Sequence, residues 1–279
     1  MYTRTVFSAL GDWGLQTMTQ QRVLQALKEI QCRLDFCVLL GDNFYPDGVA
    51  SVDDPRWASI LAAFPPHLRL YALLGNHDYH LNPRAQMDYH LHSWTMPHYF
   101  YDRVENHVHM LFLDTAILAP AFTTNLFQQC SVSPARIQAF QQHAKTMGIE
   151  QLRWIEHRLS TMDAPWKIVF GHYPLVSNGP HDVSLELYGT LFPLLQRYGV
   201  DLYMAGHDHN AQVIQHQSIL CVVSGAISMI APPSRHMPGT LFVSTQPGQF
   251  VCSVDDKTLD LKYVDAQLHV RYSLSKTQH

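Results

Sequence analysis

Five short apolar runs in this chain each end in a glycine that leads into a polar motif. The runs are 6–10, 36–40, 70–74, 168–170 and 202–205, and the motifs that follow them read GDWG, GDNFY, GNHDY, GHYP and GHDHN. Apolar runs of this length that stop at turn-forming residues are typical of buried strands. Open α/β sheets bind ligands beyond the carboxyl ends of their strands, so the motifs predict one site at one sheet edge.

The segments between and after these runs predict an α/β architecture. Helical periodicity is found at 19–32, 55–64, 151–159 and 185–198. Alternation of strands with helices favours a largely parallel or mixed sheet. Short β segments separated by turns occur at 103–116, 213–214, 219–223, 240–244, 250–254, 259–264 and 268–274. We predict that the C-terminal segments form a second sheet packed on the first, which gives a β-sandwich flanked by helices in one domain over 1–279.

The charge of the chain excludes several classes of partner. Lys and Arg number 19 against 23 Asp and Glu, which gives a net charge of −4, and the basic residues are not clustered. We therefore expect no binding to nucleic acid or to an anionic membrane surface. No apolar stretch reaches the length of a membrane span, and no signal peptide is visible. We expect a cytoplasmic protein, or a secreted one if a leader has been removed.

The polar residues of the five motifs are of the types that bind metal ions. They are Asp12, Asp42, Tyr45, Asn76, His172, His207 and His209, with His77 and Asp78 directly after Asn76. Oxygen and imidazole ligands on several loops suit two adjacent metal ions, which a shared carboxylate can bridge at roughly 3.5–4 Å. Each motif alone has a simpler explanation, because Gly-Asp is common in turns and Asn often caps helices. Five such motifs after five strands favour a metal site.

Taken in order, the five motifs resemble those of the calcineurin-like metallophosphoesterases along most of the chain. That superfamily usually begins with Asp-x-His, whereas Gly14 occupies the histidine position here. Tyr45 resembles the ligand that replaces this histidine in the purple acid phosphatases, although a tyrosine here also fits a core or turn position. The stretches LGDNFYPDGV and AGHDHNAQ are most similar to the small, tartrate-resistant type. The resemblance implies a metallophosphoesterase-type sandwich of two mixed sheets.

The resemblance also implies a dinuclear centre of Fe(III) and a divalent ion, which would be Fe, Zn or Mn. The first ion would bind Asp12, Asp42, Tyr45 and His209, and the second Asp42, Asn76, His172 and His207, so that Asp42 bridges them. A phenolate is a hard anionic ligand that matches Fe(III) better than Zn(II) or Mn(II). The reaction implied is hydrolysis of a phosphate monoester by a metal-bound hydroxide, which forms because a metal lowers the pKa of water.

Three residues are predicted to act on the substrate: His77, Asp78 and His181. The resemblance places His77 over the phosphate, where it would protonate the leaving group, and Asp78 would hold its other ring nitrogen. The Glu-His pair that the family has after GHYP is missing from the shorter loop LVSNGPHD, where His181 is the candidate replacement. The segment SMIAPPSRHMPG stands where the family has a flexible lid.

Three functions remain open from the sequence. The first is a phosphatase acting on a small phosphate ester, with a phosphoprotein or a nucleotide as larger candidates. The second is a phosphodiesterase or nucleotide pyrophosphatase with two Mn(II) or Zn(II) ions, against which Gly14 and Tyr45 argue. The third is a non-catalytic metal-binding protein, against which the competent residue at every ligand position argues. Nothing in the sequence indicates the oligomeric state.

Overall fold

The computed structural model of the chain describes residues 4–90 and 93–278. In chain order the strands are β1 (Thr5–Leu10), β2 (Phe36–Leu39), β3 (Arg69–Ala72), β4 (Trp94–Thr95), β5 (Tyr101–Glu105), β6 (Val108–Phe112), β7 (Trp166–Phe170), β8 (Leu202–Ala205), β9 (Ala211–His216), β10 (Ile219–Ser224), β11 (Thr240–Ser244), β12 (Gly248–Val254), β13 (Thr258–Asp265) and β14 (Val270–Thr277). The helices are α1 (Met18–Ile30), α2 (Arg56–Leu61), α3 (Arg84–Met87), α4 (Thr115–Leu118), α5 (Pro120–Gln129), α6 (Pro134–Thr161) and α7 (Leu185–Arg197).

The strands form two mixed sheets. The first has the order β14-β13-β12-β1-β2-β3-β4 and the second β11-β9-β10-β8-β7-β6-β5. β1, β2, β3 and β4 run parallel, and so do β6, β7, β8 and β10, whereas the flanking strands are antiparallel. Two mixed sheets flanked by helices in a single domain confirm the predicted fold class.

Aromatic side chains join the two sheets at the centre of the core. Phe7 of β1 stacks on Phe36 of β2 with ring centroids 5.2 Å apart, and its ring meets Phe170 of β7 edge-on at 5.7 Å. Phe170 in turn stacks on Phe112 of β6 at 5.0 Å. All four side chains are fully buried. Because aromatic pairs in these geometries add to the stabilisation from buried area, they hold the sheets face to face.

Hydroxyl caps and prolines determine where the main helices begin. The side chain of Thr17 accepts a hydrogen bond from the backbone of Gln20 at the start of α1, and Ser184 caps α7 in the same way. Ser133 caps α6, whose first residue is proline. These hydroxyls satisfy backbone N–H groups that have no partner inside the helix. None of the helices in the described part of the chain has the length and apolarity needed to cross a membrane.

The predicted division of the strands between the sheets is wrong in one respect. The C-terminal strands do not form a sheet of their own, because β9, β10 and β11 extend the sheet of β8, while β12, β13 and β14 extend the sheet of β1. The segment 103–116 contributes the hairpin of β5 and β6 and then enters α4. The predicted helix 151–159 is part of α6, which is 28 residues long.

Candidate metal centre

The carboxyl ends of β1, β2, β3, β7 and β8 meet at one edge of the sandwich. A Cβ atom added to Gly11 would lie 2.8 Å from the Cα of Gly206, so the chain leaving β1 touches the chain leaving β8. The backbone N–H of His207 donates to Oδ2 of Asp12 at 2.7 Å, which ties the two sheets together at this point. The five motifs therefore converge, as their shared position after strands predicts.

Three of the predicted ligands adopt left-handed backbone conformations. The φ angles are 56° at Asp12, 53° at Asp42 and 70° at His207, and each residue directly follows the glycine that ends its strand. Non-glycine residues in this region are uncommon, and Asp, Asn and His are enriched among them. Such conformations cluster at functional sites, where the surrounding structure holds them in place.

The four predicted ligands of the first ion lie together. The phenol oxygen of Tyr45 lies 3.2 Å from Oδ1 of Asp12 and 2.8 Å from Oδ2 of Asp42. Nε2 of His209 lies 3.6 Å from Oδ1 of Asp12. Asp12 and Asp42 are buried, whereas Tyr45 and His209 are partly exposed. The phenol oxygen of Tyr45 therefore contacts two of the predicted ligands directly.

The structure explains why position 14 carries no ligand. A Cβ atom on Gly14 would lie 2.3 Å from both the carbonyl carbon and oxygen of Asn43, and 2.6 Å from the nitrogen of Phe44. These are backbone atoms of the turn that carries Tyr45, so no side chain fits between the two loops. The turn that carries Tyr45 therefore occupies the space that a side chain at position 14 would need.

The predicted ligands of the second ion gather around Asp42 from the other side. Nε2 of His172 lies 3.5 Å from Oδ2 of Asp42 and 3.1 Å from Oδ1 of Asn76. The ring centroid of His207 lies 5.2 Å from that of His172. One ligand atom each from Asp12, Asp42 and His172 fall within 4.8 Å of one another. One carboxylate is therefore shared by both groups of donors.

A backbone carbonyl orients the ring of His172. Its Nδ1 lies 2.9 Å from the carbonyl oxygen of Leu40, and a carbonyl can only accept a hydrogen bond. Nδ1 therefore carries a hydrogen, and Nε2 is the nitrogen that faces Asp42 and Asn76. Metal-binding histidines in proteins are commonly oriented by such a bond from the second ring nitrogen.

His207 has the burial and the neutral ring that a metal-binding histidine needs. Its Nε2 is buried and has no hydrogen-bonding partner among the described residues. Burial and the neighbouring His172 and His181 hold the pKa of His207 well below its usual value, so the ring is neutral. A buried polar atom without a partner is rare in native proteins, and neutral imidazole is the form that coordinates metals. The donor set thus fits a dinuclear centre.

His77 contacts the centre through its backbone and leaves one ring nitrogen free. Its N–H donates to Oδ1 of Asp42 at 2.9 Å, and its Nδ1 lies 2.6 Å from the carbonyl oxygen of Pro46. The ring centroid lies 4.5 Å from that of Tyr45. Nδ1 therefore carries a hydrogen, and Nε2 makes no hydrogen bond to any of the described residues.

The predicted bond between Asp78 and the ring of His77 is wrong. Asp78 is fully buried, and its carboxylate accepts hydrogen bonds from the backbone of Asn43, Phe44 and Gly75 and from the side chain of Gln86. Residues 77–79 form one turn of 3₁₀ helix, which turns adjacent side chains in different directions. Burial and the charge of Asp42 raise the pKa of Asp78 to about 6. Its contacts therefore support the turn that carries Tyr45, and they do not reach the ring of His77.

His181 lies at the edge of the centre, as its predicted role requires. Its ring centroid lies 4.7 Å from that of His207 and 5.4 Å from that of His209, and its side chain is 40% exposed. A hydrogen bond with Asp208, more than any other contact, raises the pKa of His181 above its usual value. The ring of His181 is therefore partly exposed beside two of the predicted metal ligands, His207 and His209.

Two residues of the quoted motifs have structural roles that the sequence reading missed. Asn43 accepts from Nε1 of Trp13 at 2.9 Å and donates to the carbonyl of Leu73 at 2.8 Å, so it joins three loops of the site. Asp208 is fully buried between two predicted ligands. In the sequence both residues stand next to predicted ligands, Asn43 in GDNFY and Asp208 in GHDHN. A buried amide or carboxylate at such a position needs hydrogen-bonding partners.

Comparisons with known proteins agree with this geometry. Residues 6–211 match the family of Calcineurin-like phosphoesterases. The chain is 31% identical to human tartrate-resistant acid phosphatase type 5, over 82% of this chain and 75% of that protein. It is 34% identical to purple acid phosphatase 17 of Arabidopsis thaliana, over 76% of this chain and 63% of that protein.

Solved structures share the same architecture. GAP50, described as the anchor in the inner membrane complex of Plasmodium, is 25% identical with a TM-score of 0.81, over 99% of this chain and 89% of that one. Purple acid phosphatase PPD1 from yellow lupin seeds is 17% identical with a TM-score of 0.75, over 99% and 54%, and supports the fold alone. The chain therefore belongs to the calcineurin-like phosphoesterase family and, within it, to the tartrate-resistant and purple acid phosphatases.

Proposed function

We infer that this chain is a dinuclear metal-dependent phosphatase that hydrolyses phosphate monoesters. The observation that carries this inference is the position of Oδ2 of Asp42. This atom lies 2.8 Å from the phenol oxygen of Tyr45 and 3.5 Å from Nε2 of His172, whereas Oδ1 is occupied by the N–H of His77. Asp42 would therefore be the residue that serves both ions.

We propose the following assignment of ligands to the two ions. Asp12, Tyr45 and His209 would hold the first ion together with Asp42, while Asn76, His172 and His207 would hold the second together with the same carboxylate. Two adjacent cations in such a site neutralise the charge of the phosphate and activate water for attack at phosphorus.

The environment of Tyr45 supports Fe(III) as the first ion. Burial, then the charges of Asp42 and Asp12, raise the pKa of this phenol well above its usual value. A cation bound between these oxygens would favour the phenolate. A trivalent ion with hard character matches three anionic oxygen ligands, whereas the amide and two imidazoles of the other group suit divalent Fe, Zn or Mn.

His77 and His181 are proposed to act on the phosphate ester directly. His77 is held through Nδ1, so its Nε2 can donate a hydrogen bond or a proton to the leaving oxygen once the ring is charged. His181 is held through Nδ1 by the carbonyl oxygen of His207 at 2.9 Å, which leaves its Nε2 for a phosphate oxygen. Asp78 is proposed to stabilise the segment that leads from β2 to Tyr45. It is not assigned a role in proton transfer.

A panel of substrates with metal analysis tests the proposed function. The purified protein should contain two metal ions per chain and hydrolyse phenyl phosphate and p-nitrophenyl phosphate. It should hydrolyse bis(p-nitrophenyl) phosphate far more slowly. Faster turnover of the diester would favour a phosphodiesterase. Two bound ions without turnover of any phosphate ester would favour a non-catalytic role.

The colour of the protein tests the assignment of Tyr45 and iron. Charge transfer from a phenolate to Fe(III) absorbs visible light, so the wild-type protein should be violet or purple. We expect Tyr45→Phe to lose this absorption band while the protein remains folded, because the ring stays and only the donor oxygen is removed. The band is measured by visible spectroscopy alongside the iron content. Colourless wild-type protein with one ferric ion per chain would disprove the assignment.

A further inference from the structure

The carboxylate of Asp208 lies between two proposed metal ligands but faces a different loop. The side chain is completely buried, and Asp208 stands between His207 and His209 in the chain. Oδ2 accepts a hydrogen bond from the hydroxyl of Ser177, and Oδ1 accepts one from the N–H of His181 at 3.0 Å. This residue therefore connects the segment that holds both ions to the loop 177–181.

The hydroxyl of Ser177 can donate its hydrogen only to Asp208. Its oxygen accepts hydrogen bonds from the N–H of Gly179 at 2.9 Å and from Nε2 of Gln212 at 2.9 Å. A hydroxyl has one hydrogen and two lone pairs, so the remaining hydrogen goes to Asp208. An amide NH₂ in place of the carboxylate oxygen would meet an oxygen whose lone pairs are already used.

The loop 177–181 contacts the carboxylate of Asp208 most closely at Gly179. A Cβ atom added to Gly179 would lie 2.1 Å from Cγ of Asp208 and 2.2 and 2.3 Å from its two oxygens. Only a residue without a side chain fits at this point. The contact fixes the distance between the loop and the two metal-binding histidines.

The ring of His181 is oriented by the same carboxylate. Its Nδ1 lies 2.9 Å from the carbonyl oxygen of His207 and 3.3 Å from Oδ1 of Asp208. Both neighbours are acceptors, so Nδ1 carries a hydrogen, and the other nitrogen is the one free to contact a ligand. The backbone N–H of His181 thus donates to Asp208, and its ring lies beside the same carboxylate.

The loop is held independently on its outer side. The carbonyl of Asn178 accepts from the N–H of Ser234 at 2.9 Å, and the side chain of Arg235 donates to the carbonyl of His181 at 2.8 Å. Buried Gln212 accepts from the N–H of Asn178 at 2.7 Å. A substitution at Asp208 therefore leaves the loop anchored and changes chiefly the position of the His181 ring.

We propose that Asp208 is a positioning residue that sets His181 against the metal centre for contact with the substrate phosphate. The proposal rests on the proposed function, in which His181 binds a phosphate oxygen. Asp208 itself binds neither metal nor substrate. Its effect on the reaction passes through His181.

A double-mutant cycle with Asp208→Asn and His181→Ala tests this proposal on the metal-containing protein. Asp208→Asn should retain both ions and lower kcat/KM for phenyl phosphate by about 10–100-fold, the usual effect of removing a residue that orients a functional group. The loss should be mainly a rise in KM, with a parallel loss of affinity for inorganic phosphate measured by calorimetry. When His181 is already replaced by alanine, adding Asp208→Asn should lower kcat/KM by less than about a further twofold.

The matched control is Asp265→Asn, which alters another buried carboxylate that accepts from backbone N–H groups, in the turn between β13 and β14. It should leave both measurements unchanged. Equal losses from Asp208→Asn with and without His181, or loss of metal from Asp208→Asn, would overturn the proposal. If Asp208→Asn does not fold, Ser177→Ala removes the hydroxyl that donates to the same carboxylate and should show the same dependence on His181.

The phosphate measurement separates failure of this proposal from failure of the proposed function. If the wild-type protein hydrolyses no ester, the function fails, but the cycle in phosphate affinity still reports whether Asp208 acts through His181. Active wild-type protein with additive effects of the two substitutions means that this proposal alone fails.

Discussion

Asp42→Ala is expected to yield protein that contains neither metal ion and has lost roughly 10³-fold or more of its phosphatase activity. In the proposed assignment Asp42 serves both ions, which together would contribute several kcal/mol to transition-state stabilisation, where each 1.36 kcal/mol is tenfold in rate. Metal content per chain and kcat/KM for phenyl phosphate are the measurements. Both ions still bound in the purified variant would contradict the bridging role.

Two further variants separate metal loss from misfolding. Asp42 has a φ of 53°, which alanine adopts only with strain, whereas Asp42→Gly removes the carboxylate without that strain and should lose the same ions. Asn76→Ala removes a ligand of the second group only, so it should retain iron and lose the divalent ion preferentially. Loss of iron first from Asn76→Ala would reverse the assignment of the two sites.

His77→Asn is expected to slow hydrolysis of alkyl phosphates by about 10²–10⁴-fold, the usual contribution of a positioned acid. Hydrolysis of p-nitrophenyl phosphate should fall much less, because its phenolate leaves without protonation. Metal binding should be unchanged, since the bond from His77 to Oδ1 of Asp42 comes from the backbone N–H and survives the substitution. Steady-state kinetics on both substrates, together with metal analysis, provide the comparison.

Each alternative outcome for His77→Asn has a distinct meaning. Equal losses on the two substrates would indicate that His77 binds the phosphate without donating a proton. Loss of a metal ion would make His77 a ligand and contradict its assignment. Tyr45→Phe is a useful companion, because it keeps the ring that packs against His77 and removes only the oxygen, so its expected effect is on iron.

The parts of the site that could be predicted from the sequence are those determined by position after a strand. Asp12, Asp42 and His207 each follow the glycine that ends an apolar run, and parallel strands bring such positions to one edge. The pairing of Gly14 with Tyr45 was predicted from the resemblance to the purple acid phosphatases, and the turn that carries Tyr45 does pack against Gly14. These features depend on local sequence and on few topological choices.

The parts that could not be predicted depend on the direction in which a side chain points and on the residues or strands that it contacts. Neighbouring residues in the sequence do not determine either. Asp78 follows His77 directly, yet the turn of 3₁₀ helix sends its carboxylate to Asn43 and Gly75. The C-terminal strands were recognised as strands, but their alternating pattern does not say which open sheet edge they join. The role of Asp208 emerges only when the loop 177–181 folds onto it.

The pairing of β1 has a consequence for the synthesis of the protein. β1 lies between β2 and β12, so Phe7 pairs with Phe36 on one side and with Cys252 on the other. Contacts between residues so far apart close slowly and late in folding. During translation one edge of the strand that leads into Asp12 therefore stays unpaired until residues 248–254 have been synthesised.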